Sequence, residues 1–307
     1  MIKSPDWLRG CATALVTPFT HAGAIDESAL QRLVDYQIVG GVELLVPCGT
    51  TGESATMTEA EDQQVIKLVI DAAKGRARVI AGTGSNATAA AIEYSQTARS
   101  LGADAVLVVA PFYNKPTQDG LYAHFRAVAE AVGDVPVVIY NVPGRTASNI
   151  TAQTTLRLAR DVPNIVAVKE ASGNLSQIME ILRDRPAGFR VLSGDDSFTF
   201  PLLALGAEGL ISVAANEAPA LMSQMINLAL EGNWNEARAL HYRLLPLMEV
   251  NFIESSPGPV KAALAMMGLI EESYRLPLVP IAEHSKTKLR AVIAELGLLR
   301  ETSHAAA

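Results

Sequence analysis

The sequence predicts an α/β protein, a (β/α)8 TIM barrel followed by a C-terminal helical extension. Three observations carry that reading. Eight short β-rich apolar runs alternate with longer segments of helical period from about residue 12 to about residue 230. The runs are continuously apolar, as parallel strands covered on both faces are. Beyond residue 230 the pattern turns wholly helical. Eight strand–helix units in this span match the size and order of a closed barrel.

The runs are ATALVTPF from Ala12, ELLVP from Glu43, RVIAG from Arg78, AVLVVAP from Ala105, PVVIYN from Pro136, IVAVKE from Ile165, FRVLSG from Phe189 and GLISV from Gly209. Helix starts fall between them. Asp26 reads as the N-cap before Leu30, Leu33, Val34 and Ile38, and Thr58 with Glu61 as a capping box before Val65, Ile66 and Val69. Asn174 precedes Leu175, Ile178, Ile181 and Leu182 in the same way. A doubly wound open sheet is the alternative. GTGSNA after RVIAG mimics the dinucleotide pattern Gly-x-Gly-x-x-Ala, but it follows the third run and not the first. A tight turn with Asn86 capping the next helix is the plainer reading. The expected partition is a barrel over residues 8–230, a helical extension packed on it over 231–300, broken at Pro257-Gly258-Pro259, and a frayed tail over 301–307.

Composition narrows the function. Of 307 residues 49% are apolar, and 32 acidic against 25 basic side chains give a formal charge of −7. Such a chain buries a full core, which excludes a disordered protein. Its acidic balance, without a basic cluster, argues against nucleic-acid or anionic-membrane partners. No stretch reaches the roughly 18 apolar residues of a membrane span, and Asp6 and Arg9 sit where a signal peptide needs apolar residues. A cytoplasmic location is expected. Cys11 and Cys48 are too few for a disulfide framework, and the five histidines are scattered without metal-ligand spacing. Both thiols are read as reduced and non-catalytic, and chemistry without a metal or other cofactor is expected.

In a barrel the working groups sit at the carboxyl ends of the strands. The sixth run ends IVAVKEAS, and period-two alternation places Lys169 on one face with Ile165 and Ala167, opposite Val166 and Val168. If that face points inward, desolvation lowers the amine's pKa and leaves it able to attack a carbonyl. A solvated lysine paired with Glu170 is the competing reading. The fifth run ends IYNVPGRT, so Tyr140 stands on the neighbouring strand as a candidate proton carrier, and Arg145 offers a fork of donors for a carboxylate or is a solvated loop residue. PCGTTGES after the second run brings hydroxyls and backbone N–H groups together at Thr50 and Thr51, a cradle for a small carboxylate. APFYNKP after the fourth run puts Tyr113 on the same rim.

The motifs GTTGESAT at 49–56, PFYNKP at 111–116, YNVPGRT at 140–146, VKEASG at 168–173, LSGDD at 192–196 and GLISVAAN at 209–216 together resemble the pyruvate-dependent class I aldolases, and within them the dihydrodipicolinate synthase branch, over residues 8 to 297. The resemblance implies a lyase in which Lys169 forms a Schiff base with pyruvate and no separate cofactor is used. The resulting enamine would attack L-aspartate 4-semialdehyde to give 4-hydroxy-tetrahydrodipicolinate, on the route to diaminopimelate and lysine. It implies that Tyr140, Thr50 and Tyr113 relay protons, with Tyr113 donated by a neighbouring subunit. Thr51 would hold the pyruvate carboxylate and Arg145 that of the semialdehyde, while Gly194 and Ile211 line the pyruvate pocket through their backbones. A homo-oligomer, a dimer of dimers, follows from the same likeness.

Two departures from the family pattern stand out. Ser256-Pro257-Gly258-Pro259-Val260-Lys261 replaces an Asn-Pro-x-Pro-Val-Lys run, in a segment expected to lie outside the reacting groups. Of the family's lysine-sensing residues Ser54, Ala55 and Asn86 persist, but Glu59 and Asp62 hold the histidine positions, Ala90 the glutamate position and Phe112 the tyrosine position. Weak or absent inhibition by lysine is therefore expected. Two other functions compete: a sugar-acid lyase of the N-acetylneuraminate or 2-keto-3-deoxygluconate type using the same imine, and a non-catalytic keto-acid sensor. Arg145 speaks against the first, because a polyhydroxylated acceptor is better served by small polar groups. Retention of Lys169, Tyr140, Thr50 and Tyr113 together speaks against the second.

Overall fold

The computed structural model describes residues 4–299. Its strands are β1 (Gly10–Ala14), β2 (Leu44–Val46), β3 (Arg78–Gly82), β4 (Ala105–Val109), β5 (Val137–Asn141), β6 (Ile165–Glu170), β7 (Arg190–Ser193) and β8 (Gly209–Ser212). They pair in parallel in sequence order, and β1 pairs with β8 to close the barrel. The helices are α1 (Glu27–Val39), α2 (Glu59–Ala73), α3 (Thr88–Leu101), α4 (Gln118–Val132), the single turn α5 (Pro143–Thr146), α6 (Ala152–Asp161), α7 (Leu175–Asp184), α8 (Thr199–Ala204) and α9 (Pro219–Leu230). The chain continues into α10 (Trp234–Val250), α11 (Gly258–Met266) and α12 (Glu283–Glu295). Residue 300, the end of the expected extension, and the expected frayed tail over 301–307 lie outside the described residues.

Local sequence explains the helix starts. The Asp26 carboxylate accepts from Ala29 N, Asn174 accepts from Gln177 N, and Thr58 with Glu61 forms a reciprocal capping box. Asn86 does not cap. The N-cap of α3 is Ala87, whose side chain offers no acceptor, and the Asn86 carbonyl instead accepts from Asn114 Nδ2 at 2.8 Å. The turn is thus held by a neighbouring loop. β1 begins at Gly10 and stops at Ala14, while the apolar residues through Phe19 run on as buried irregular chain.

Two apolar layers result from strand alternation. Ala12, Leu44, Ile80, Leu107, Val138 and Ile211 fill the barrel, while Leu45, Val79, Val106, Ile139, Val168 and Leu210 face the helices. Burying each Val, Leu or Ile of these layers contributes about 1.5–3 kcal/mol. Strand β6 departs from simple alternation. Val137 pairs with Ile165 but Val138 pairs with Ala167, so a bulge puts Val166 and Ala167 both in the inner layer and Ile165 in the outer one. The expected placement of Ile165 inside and Val166 outside is corrected accordingly. Beyond the bulge the parity is regular, and Lys169 lies on the inner side with Ala167, opposite Val168. No helix among the described residues is long and apolar enough to cross a membrane.

Candidate active site

The carboxyl ends of the strands surround a cavity of about 530 Å³. Lys169, Tyr140, Thr50, Thr51, Arg145 and Gly194 all line it. Thus six of the eight residues singled out in the sequence converge on one space. Ile211 lies in the barrel-filling layer and is buried. Tyr113 is 89% exposed and is not among the residues that line the cavity of its own chain.

Lys169 is 6% exposed, and burial pushes its ammonium down to about 7. The nearby Asp196 charge opposes that effect, and Arg145 adds to it. Glu170 is not its partner. The Glu170 carboxylate accepts from Ser172 N at 2.7 Å and Asn141 Nδ2 at 3.1 Å, and Lys169 forms no ion pair among the described residues. Asp196 was not read from the sequence as a site residue. It is buried, and it accepts from Ser212 Oγ and from the backbone N–H groups of Val213 at 3.0 Å and Ala214 at 3.1 Å. Desolvation raises its pKa. The second acid of LSGDD was the available signal. Gly194 makes room for the lysine stem, since a Cβ there would lie 2.8 Å from Ala171 Cβ and 3.0 Å from Lys169 Cε.

Tyr140 is the register partner of Lys169 on β5, and its ring centroid is 4.2 Å from Lys169 Nζ. Burial pushes the phenol up to about 12. It therefore keeps its proton at neutral pH. Arg145 sits in α5, immediately after β5, and is exposed at the mouth of the cavity. Thr50 and Thr51 lie in the turn after β2, between Cys48 and Glu53, which both adopt left-handed backbone with φ of 57° and 56°. Thr51 is buried and Thr50 exposed. The Tyr113 loop is equally fixed: Tyr113 has φ of 74° and its N–H donates to Thr146 O at 3.3 Å.

The segment between α10 and α11 reaches the cavity wall: Phe252 and Ser256 line it, and Ser256 is the one residue of the Ser256–Lys261 run that does so. The chain leaving α10 folds back over the barrel mouth before α11 begins. An apolar residue just past a helix end gave no signal that separates such a role from packing. Among the described residues no group of three or more His, Cys, Asp or Glu side chains could hold a metal ion.

A buried amine of lowered basicity beside a neutral phenol, with hydroxyls and a guanidinium around it, suits condensation with the carbonyl of a carboxylate-bearing substrate. The family model of the dihydrodipicolinate synthetases matches residues 7–296. The chain belongs to the dihydrodipicolinate synthetase family. A relative of this family, 4-hydroxy-tetrahydrodipicolinate synthase of Koribacter versatilis, is 52% identical over 297 residues, covering 96% of this chain and 98% of its own. The crystal structure of dihydrodipicolinate synthase from Aquifex aeolicus superposes with a TM-score of 0.93 at 45% identity, covering 96% of this chain and 100% of that one. A chloride-inhibited dihydrodipicolinate synthase from Acinetobacter baumannii, solved in complex with pyruvate, gives a TM-score of 0.93 at 43% identity over 95% of this chain and 100% of that one.

Proposed function

We propose that this member of the dihydrodipicolinate synthetase family is a lyase that condenses pyruvate with L-aspartate 4-semialdehyde to give 4-hydroxy-tetrahydrodipicolinate. The observation that carries the reading is the buried Lys169 side chain, which lines the cavity with its amine 4.2 Å from the Tyr140 ring centroid; the same burial pushes the amine down to about 7. Free amine is then abundant at neutral pH. It adds to the pyruvate carbonyl carbon, and loss of water leaves an imine. Loss of a methyl proton gives an enamine, whose terminal carbon forms the new bond to the aldehyde carbon. The amine of the substrate then attacks the imine carbon, expels Lys169 and closes the ring.

In this reading Tyr140 and Thr50 move protons between these intermediates, and Thr51 receives the pyruvate carboxylate. Arg145 receives that of the semialdehyde, and the backbones of Gly194 and Ile211 border the pyruvate. Arg145 at the mouth favours a charged acceptor over the polyhydroxylated one of a sugar-acid lyase. No cofactor beyond the pyruvate-derived imine enters. The barrel over 8–230 is the catalytic unit, the helices after residue 230 are an extension packed on it, and the enzyme works in the cytoplasm.

The reading includes a homo-oligomer, a dimer of dimers in which Tyr113 completes the relay in a neighbouring subunit. Its support is a tyrosine held outward on a strained, tethered loop, away from its own cavity. Mixing Tyr113→Phe with Lys169→Ala protein tests it, because mixed dimers regain one complete site and hence activity. The reading also includes weak or absent inhibition by L-lysine, supported by Ala90 and Phe112 and by the Ser54 hydroxyl, which already donates to Asp62 at 2.9 Å.

A coupled assay tests the function as a whole. Purified protein, pyruvate and L-aspartate 4-semialdehyde should produce a substrate for the downstream reductase, seen as nicotinamide oxidation. No signal there, together with pyruvate release from a sugar acid, would replace this reading with the sugar-acid lyase.

A further inference from the structure

The turn that carries Thr50 and Thr51 is held from a distance. Glu53, two residues after Thr51, sends its carboxylate inward to accept from Lys261 Nζ, and both side chains are completely buried. Lys261 belongs to α11 of the C-terminal extension, 208 residues further along the chain. Its ammonium sits 4.4 Å from the Phe19 ring centroid and 5.4 Å from that of Tyr274. The second Glu53 oxygen accepts from Arg275 N at 3.5 Å.

A buried ion pair is a poor source of stability, because the cost of desolvating both ions offsets most of their attraction. What it supplies is direction. Glu53 has φ of 56°, its N–H donates to Thr50 O at 3.2 Å, and its carbonyl accepts from Thr56 N at 2.8 Å. Next to it, Gly52 O accepts from Thr17 Oγ1 at 2.7 Å, and a Cβ on Gly52 would lie 3.0 Å from Leu15 O. The turn is thus seated on β1's exit at one end and tied to α11 at the other.

We propose that the Glu53–Lys261 pair is a positioning element that aims the Thr50–Thr51 turn at the carboxylate of the keto acid, so that preference for a carboxylate-bearing carbonyl depends on a helix of the extension. The inference rests on the reading of Lys169 as the imine-forming amine. The charges that act on the Lys169 amine are those of Asp196 and Arg145, not those of Glu53 or Lys261.

The test compares two carbonyl probes on the full-length protein, pyruvate and acetaldehyde, each trapped on Lys169 by cyanoborohydride. Acetaldehyde has no carboxylate to be aimed at. In Glu53→Gln and in Lys261→Met the pyruvate rate should fall roughly tenfold or more while the acetaldehyde rate changes less than about twofold, the size of effect expected from losing one oriented carboxylate contact. The double variant Glu53→Gln/Lys261→Met leaves no lone buried charge, so it decides the matter where a single variant fails to fold. It should regain thermal stability without regaining the preference for pyruvate. Equal loss for both probes, or a preference restored in the double variant, means the pair is only structural and overturns the proposal. If the unmodified protein traps no pyruvate on Lys169, the reading of the site fails first and takes this inference with it.

Discussion

Lys169 and Tyr140 are register partners on adjacent strands, with the amine 4.2 Å from the phenol ring centroid. Burial acts on them in opposite senses. It brings the amine down to about 7 and the phenol up to about 12. Near neutral pH one is substantially free base and the other keeps its proton, which is the division of labour that imine chemistry needs.

The rate of imine formation should therefore rise about tenfold per pH unit below pH 7 and level off above it. Cyanoborohydride trapping of pyruvate across that range measures it directly. A rate still climbing toward pH 10 would show an amine of ordinary basicity.

Stability should carry the opposite mark of the same burial. Below about pH 7 the folded protein holds a buried charge, and between about 7 and 10.5 only the unfolded chain binds that proton, so stability rises with pH through this window. Lys169→Met should then stabilise the fold by on the order of a few kcal/mol at pH 6. The gain should shrink as pH approaches 10.5, as followed by thermal unfolding at several pH values.

Tyr140→Phe keeps the ring against the lysine and removes only the hydroxyl. We expect kcat to fall by about 10²–10⁴-fold. The midpoint of the trapping profile should move little, because burial, and not the hydroxyl, sets the amine. A variant with near-normal turnover would remove Tyr140 from the relay.

Gly194→Ala is a steric test. Its Cβ would meet Lys169 Cε at 3.0 Å and Ala171 Cβ at 2.8 Å, so the lysine stem has to shift. A displacement of this kind costs about 10²-fold in kcat/KM, while far-UV circular dichroism should be unchanged. Full activity would show that the stem adapts freely.

L-lysine should inhibit weakly or not at all. Losing a charge-assisted hydrogen bond at the position of Ala90 costs about 1.5–3 kcal/mol, which weakens binding roughly tenfold or more. Half-maximal inhibition at sub-millimolar L-lysine in the coupled assay would contradict this.

Much of the barrel was legible because fully covered parallel strands are uniformly apolar; β3 and β6 begin and end where their runs RVIAG and IVAVKE do. The side of β6 that carries Lys169 was readable by parity from its carboxyl end, but the bulge at Ile165 and Val166 was not, since both are β-branched and either face accepts them. Asn86 looked like a cap because short polar side chains usually are; here another loop claims its carbonyl. The parts of the site that escaped sequence reasoning come from far along the chain. Phe252 and Ser256 reach the cavity, and Lys261 reaches Glu53, only once the extension has docked on the barrel. Asp196 escaped for a related reason, because its role depends on N–H groups of the turn after β8.

The measurement that bears most directly on this account is peptide mapping after borohydride reduction in the presence of pyruvate. One reduced pyruvyl adduct per chain, confined to the peptide containing Lys169 and absent in Lys169→Arg, is the predicted result. An adduct on another lysine, or undiminished turnover in Lys169→Arg, would contradict it.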